Sequence, residues 1–235
     1  MVTDTITLNA VILPGSASVT EGNSGTKVVT VPVTLSTTST ATVTARWSTA
    51  NNGATAPADY VSASGTVSFS PGQTSRTVSV TIKGDILDEA DEGLVVGFNT
   101  PTNAVIGGFF GLAPVTIVDD DPLPTVVPGR ASVIEGDTGP RIVNVPVTLS
   151  KPSGRTVTAR WSTGDNGATA PADYVAASGT VTFSPGQTSR TVAVTIKGDT
   201  LNEADEGLVV GFNTPTNAVI GGFYGLAPVT IVDDD

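Results

Sequence analysis

Lys27-Val28-Val29-Thr30-Val31-Pro32-Val33-Thr34-Leu35-Ser36 alternates: Val29, Val31, Val33 and Leu35 fall on one side, Thr30, Pro32 and Thr34 on the other. Successive side chains of a strand point to opposite faces, so a period of two marks a strand with one face buried. Ala41–Thr49 repeats the pattern, with Val43, Ala45 and Trp47 in phase against Thr42, Thr44 and Arg46. Working outward, Val67 and Phe69, then Val78, Val80 and Ile82, then Leu94, Val96 and Phe98, then Val115 and Ile117 continue the rhythm. With Ala17–Thr20 this predicts about seven strands, the number that suits two packed antiparallel sheets. Ser70-Pro71-Gly72-Gln73 is a turn signal between two of them. Pro32 lacks a ladder donor and is expected on an edge or at a bulge.

Shifting the sequence by 114 lays Glu21 on Glu135, Asp59 on Asp173, Asp85 on Asp199 and Asp121 on Asp235. The register runs without a gap from Gly15–Asp121 to Gly129–Asp235, and roughly four positions in five are identical. The predicted organisation is therefore all-β: a linker-like segment at 1–14, one sandwich at 15–121, a Pro-rich linker at 122–128 and a second sandwich at 129–235. Three prolines among Pro122–Pro128 suggest a semi-stiff connection.

Composition closes several routes to chemistry. The chain has 235 residues with no cysteine and no histidine, which removes thiol nucleophiles, disulfides, Cys/His zinc sites and any Ser-His-Asp triad. Its net charge of −11 argues against nucleic acid. No apolar run is long enough to span a bilayer as a helix. The opening Met1-Val2-Thr3-Asp4 lacks the features of an export signal, and the sequence is read as a piece of a longer exported protein.

The acids gather at strand ends. Glu21 follows the first strand, Asp59 sits in the loop before Tyr60, Asp85 and Glu89 lie in the Gly84–Gly93 connection, and Asp119, Asp120 and Asp121 close the last strand. Antiparallel topology allows these connections to meet at one pole. Unit charges about 4 Å apart repel by roughly 1 kcal/mol even in water, so such a pole requires a counter-charge. Several loops offering hard oxygens suit Ca²⁺, which accepts 6–8 oxygens in flexible geometry. Asp88, Asp91 and Glu92 taken alone read equally well as solvated turn residues.

In order, Val-x-Glu-Gly, Ala-Asp-Tyr, Ser-Pro-Gly-Gln-Thr, Gly-Asp-x-Leu-x-Glu-Ala-Asp-Glu and Val-Thr-Ile-x-Asp-Asp-Asp appear in each copy. Each copy thereby resembles a Calx-β domain, the module of sodium–calcium exchangers and of many extracellular repeat proteins. The resemblance implies an immunoglobulin-like sandwich with calcium bound among loops at one end. Matched position by position, the implied ligands are Glu21, Asp59, Asp85, Glu89, Asp119, Asp120 and Asp121, with Leu87 contributing a backbone carbonyl and Glu92 nearby. In the second copy they are Glu135, Asp173, Asp199, Glu203, Asp233, Asp234 and Asp235, with Leu201 and Glu206 in the lesser roles. Where the exchanger's tightest-binding domain has consecutive acids, this chain has Gly84 and Gly198. One or two ions per copy are expected in consequence.

The function read from this is a calcium-stiffened structural or adhesion spacer of a secreted or cell-surface repeat protein. Its partners are calcium and neighbouring repeats, possible further contacts are cell-surface or matrix components, and it is monomeric, not catalytic and not inserted in a membrane. A calcium-sensing regulatory module of a transporter or enzyme, and an accessory module for carbohydrate or protein, are the alternatives. The turn Gly107-Gly108-Phe109-Phe110-Gly111 bears on the last of these, as do Phe223 and Tyr224. Its simplest reading puts one ring in the core and the other over a sheet edge. Trp47 and Trp161 share the phase of the core valines and are read as core.

Overall fold

The structure is a computed structural model that describes residues 9–235; the first eight residues of the expected linker-like segment lie outside the described residues. The chain forms two compact units whose main bodies end at Asp121 and begin at Pro122.

The first unit holds ten strands: β1 (Ala10–Pro14), β2 (Ala17–Thr20), β3 (Thr26–Leu35), β4 (Val43–Asn51), β5 (Tyr60–Val61), β6 (Ser64–Phe69), β7 (Ser75–Lys83), β8 (Glu92–Thr102), β9 (Ala104–Ile106) and β10 (Leu112–Val118). They make two sheets, in the orders β5-β7-β3-β1-β9 and β2-β10-β8-β4-β6. The alternation read in the sequence becomes the core: Val31, Val33, Val43, Phe69, Ile82, Leu94 and Val96 are fully buried. Burying each such side chain contributes roughly 1.5–3 kcal/mol. Trp47 is half-buried and packs against this core, as its phase predicts.

Two edges are parallel, β1 with β9 and β2 with β10. β1 and β2 are one extended run that changes sheet at Gly15, where an added Cβ would lie 2.8 Å from Pro32 Cγ. β1 pairs antiparallel with β3 only over Val33–Leu35, while the Gly15 N–H donates to the Pro32 carbonyl at 2.9 Å. Pro32 thus sits where its neighbour strand ends, and its missing donor costs little. β2 runs parallel to β10, with Thr20 opposite Val118. Their C-terminal ends therefore leave the sandwich together, and Glu21 N–H donates to the Val118 carbonyl at 3.1 Å.

The second unit repeats the plan with β11 (Thr125–Pro128), β12 (Ala131–Ile134), β13 (Gly139–Leu149), β14 (Val157–Asp165), β15 (Ser178–Phe183), β16 (Ser189–Gly198), β17 (Glu206–Thr216), β18 (Val219–Ile220) and β19 (Leu226–Val232). Its sheets run β16-β13-β11-β18 and β12-β19-β17-β14-β15. The counterpart of β5 is here a single bridge, Tyr174 to Ile196.

The structure differs from the sequence reading in two places. Ala10–Pro14 and Thr125–Pro128, both within segments read as linker-like, are strands, and Ile12 and Val126 are fully buried core residues. Prolines suggested a linker, but Pro14 and Pro128 stand at the strand ends, where a missing donor is harmless. The aromatic turn also departs from expectation. Neither ring is core: Phe109 and Phe110 are 76% and 85% exposed, Phe223 and Tyr224 77% and 84%. Gly108 and Gly111, both with positive φ, shape a turn that leaves both rings in solvent.

Candidate metal centre

At the pole where β2 and β10 end, carboxylate oxygens of Glu21, Asp119 and Asp121 lie within 4.8 Å of one another. Asp59, Glu89 and Glu92 form a second such group. The spacing has meaning: two oxygens bound to one Ca²⁺ at 2.3–2.6 Å can be at most about 5 Å apart. Glu21 and Asp121 are buried, which is unusual for carboxylates unless paired or bound. Asp121 Oδ1 accepts from Asn23 Nδ2 at 2.6 Å, whereas its Oδ2 is buried with no hydrogen-bond partner. An ionised oxygen in that position calls for a counter-charge.

The other expected residues take distinct places. Asp120 is exposed, and its Oδ1 accepts from the Gly22 N–H at 2.9 Å; Asp234 does the same for Gly136 at 2.8 Å. These carboxylates cap the turn after β2 or β12, leaving one oxygen each for other work. Asp59 Oδ2 accepts from the Thr55 N–H at 2.6 Å, and its carbonyl accepts from the Lys83 N–H at 2.8 Å. The acid is thus anchored by backbone on both sides. Asp85 is exposed, and Leu87 and Glu89 are half-buried. Burial raises the pKa of Glu92, helped by the charge of Asp59 and a hydrogen bond to it.

In the second unit a small cavity is lined by Glu135, Asp173, Glu203, Glu206 and Asp233, among others. Burial raises the Glu135 pKa, followed by the charges of Asp199, Asp233, Glu203 and Asp235. Glu206 is raised by burial, by Asp173 and Glu203, and by its hydrogen bond to Asp173. Leu201 turns its N–H to Asp199 Oδ1 at 2.7 Å, and its side chain is exposed. All seven implied acids of this copy lie within reach of one another by contact or charge, Asp234 through its charge on Asp235.

Residues outside the implied ligand set also reach this pole. Asp91 Oδ1 accepts the Asp119 N–H at 3.2 Å, and Asp205 accepts that of Asp233 at 3.3 Å. Lys27 Nζ donates to the Thr20 carbonyl at 2.8 Å, and Lys83 Nζ to the Pro57 carbonyl, so two ammoniums reach this end and are engaged by backbone. The copies also differ here in a way the alignment alone could have flagged. Asn23 becomes Asp137 and Asn51 becomes Asp165. Asn23 donates to Asp121, whereas desolvation and then the charge of Asp137 raise the pKa of Asp235. Asp165 accepts from the Tyr174 hydroxyl, whose pKa burial and this carboxylate push up to about 12. The Asp137→Asn variant is expected to raise the metal-free melting temperature, and Asn23→Asp to lower it. Parallel calorimetric scans in chelator check both, and equal shifts of one sign would contradict the pairing.

Comparison with known proteins places the chain in a family. The profile of the Calx-beta domain matches twice, over residues 12–121 and 119–235. The adhesion G-protein coupled receptor V1 of Danio rerio is 30% identical over 175 residues, 73% of this chain, and the chain spans only 3% of that protein's length. Among solved structures, the CBD12 tandem of CALX1.2 is similar over 95% of this chain and 99% of its own, at 19% identity and a TM-score of 0.44. The apo CBD1 domain of Calx is similar over 48% of this chain and 100% of its own, at 23% identity and a TM-score of 0.41. Two consecutive family matches that together cover nearly the whole sequence leave one conclusion: the chain belongs to the Calx-beta family, as a tandem pair of Calx-beta domains.

Proposed function

We propose that each copy binds calcium at its acidic pole and that the pair is a calcium-stiffened structural or adhesion spacer of a larger extracellular protein. The observation that carries the metal assignment is the buried, partnerless Asp121 Oδ2 beside Glu21 and Asp119. The donors are all oxygen, as Ca²⁺ requires, and come from four separate segments of the chain, which suits its flexible coordination. Glu21, Asp119 and Asp121, with Asp59, Glu89 and Glu92, would hold the ion or ions of the first copy. Glu135, Asp173, Asp199, Glu203, Glu206, Asp233 and Asp235 would serve the second. Asp85 and the carbonyl of Leu87 or Leu201 join them as outer donors, while Asp120 and Asp234 hold the turn and offer one oxygen.

The spacer reading is supported by near-identical tandem copies, by a relative named as an adhesion receptor, and by the absence of histidine and cysteine. Among the described residues no helix is long and apolar enough to cross a membrane. Millimolar extracellular calcium would fill even the weak end of the known range, about 10⁻⁴–10⁻³ M. The strands β1 and β11 argue that the working modules begin near Ala10 and Pro122 rather than at Gly15 and Gly129.

Calorimetric titration of calcium into chelator-treated protein tests the assignment. At least two ions per chain are expected. A Glu21→Gln, Glu135→Gln pair should weaken binding by at least tenfold (about 1.4 kcal/mol) while leaving the metal-free fold intact. No heat at 10 mM calcium, on the order of ten times the weak end of that range, would remove the proposal.

A further inference from the structure

The nine residues Ala104-Val105-Ile106-Gly107-Gly108-Phe109-Phe110-Gly111-Leu112 carry no polar side chain, in a chain of net charge −11. The second copy keeps the run, Ala218–Leu226, changing only Phe110 to Tyr224. Apolar runs are ordinarily buried, yet here both rings of each pair stand in solvent, with Val105 and Val219 about half exposed beside them.

This exposure is built in. The Leu112 N–H closes the turn on the Phe109 carbonyl at 2.9 Å, and Gly107 N–H and Gly111 carbonyl tie its two sides to Ile12 and Phe98 at 2.9 Å. A Cβ on Gly111 would stand 2.9 Å from the Phe98 carbonyl oxygen, so the turn is seated directly on β8. Phe110 and Tyr224 both adopt φ of 52°, a left-handed conformation rare for aromatic residues. The rings of each pair pack edge to face, with centroids 4.9 Å apart in the first copy and 4.7 Å in the second. The turn precedes β10, whose far end carries Asp119. Seven residues at about 3.3 Å each put it roughly 23 Å from the acidic pole.

The chemistry narrows the partner. Rings this exposed protrude into solvent. A saccharide needs hydrogen-bonding side chains around an aromatic platform, and this run supplies only the Tyr224 hydroxyl. An anionic partner would meet no lysine or arginine in the run and an acidic chain around it. Two rings offer on the order of 300 Å², well below the roughly 800 Å² per side of a stable protein complex. A neutral lipid interface needs neither charge nor hydrogen bonds, accepts small aromatic wedges, and rewards two such wedges on one chain through avidity. We propose that the Phe109–Phe110 and Phe223–Tyr224 turns insert into the interfacial layer of a zwitterionic lipid bilayer. The proposal is independent of the calcium assignment.

Co-sedimentation of the whole chain with phosphatidylcholine vesicles, in chelator, tests it. Partition should rise with lipid. It should fall at least tenfold when Phe109, Phe110, Phe223 and Tyr224 are all changed to serine, a variant whose melting curve should match the parent because these side chains touch no core. Changing only Phe109 and Phe110 to serine should leave measurable but weaker binding. The proposal fails if the parent sediments no more with lipid than without it, or if the fourfold variant partitions equally. It also fails if binding appears only with anionic lipid, or if the turns instead drive lipid-free self-association lost in the fourfold variant.

Discussion

Gly84→Ala is expected to unfold the first unit at a temperature more than about 10 °C below that of the parent, through a cost of at least roughly 3 kcal/mol. A Cβ on Gly84 would lie 1.8 Å from the Gly22 carbonyl oxygen, 2.7 Å from that of Glu21 and 2.8 Å from the Gly22 carbonyl carbon. All three are backbone atoms, so no rotamer change relieves the overlap. The backbone is also tied on the other side, because the Gly84 N–H donates to the Gly25 carbonyl at 3.1 Å and Lys83 pairs with Thr26. Gly198 meets the same atoms of Gly136 and Glu135, at 1.8 and 2.6 Å. Marginal stabilities of 5–15 kcal/mol leave little reserve for such a loss. Gly72→Ala is the control: its φ is positive, at 82°, but nothing lies within 4 Å of an added Cβ. That change should cost only about 1–2 kcal/mol of backbone conformation. A scan in which Gly84→Ala melts no lower than Gly72→Ala would refute the steric account. The same geometry leaves room for glycine alone at this position. Gly84→Asp would break the pole rather than add a ligand to it.

Much of this was legible in the sequence, for physical reasons. A strand with one buried face must alternate, so Val29, Val31, Val33 and Leu35 announce both the strand and its inner side. The gathering of Glu21 with Asp119 follows once β2 is known to run parallel to β10, but that pairing is a long-range fact with no local signal. That one oxygen of Asp120 accepts from the Gly22 N–H has no local signal in the run Asp119–Asp121 either. β1 and β11 were hidden because each ends in proline, and a proline-bounded run of three or four β-formers looks the same as a linker. The aromatic turn was misjudged because hydrophobicity predicts burial. Nothing in Gly-Gly-Phe-Phe-Gly reveals that both its rings stand in solvent. Gly84 is the converse case: a residue read as a missing ligand is required by the close approach of two backbones.

Without calcium, melting temperature is expected to rise as pH falls from 7 toward 4.5; with saturating calcium it is expected to fall. Glu92, Glu135, Glu206 and Asp235 all have carboxyl pKa values raised in the folded state, by desolvation and by their neighbours' charge. A raised carboxyl binds its proton more readily in the native chain than in the unfolded one, so the native state holds more protons across that window. Stability then declines with rising pH. The penalty is absent below the unfolded carboxylate range and fully present above the raised native values. Calcium reverses the sign because it binds only deprotonated carboxylates, so protons now compete with the stabilising ligand. At a hundredfold excess over its dissociation constant, one ion contributes about 2.7 kcal/mol at neutral pH. The two curves should therefore lie furthest apart at pH 7 and converge in acid, and Glu21→Gln with Glu135→Gln should flatten both. A metal-free curve that rises with pH would show that the acids are paired internally. Two parallel curves would show that the counter-charge at this pole is not calcium.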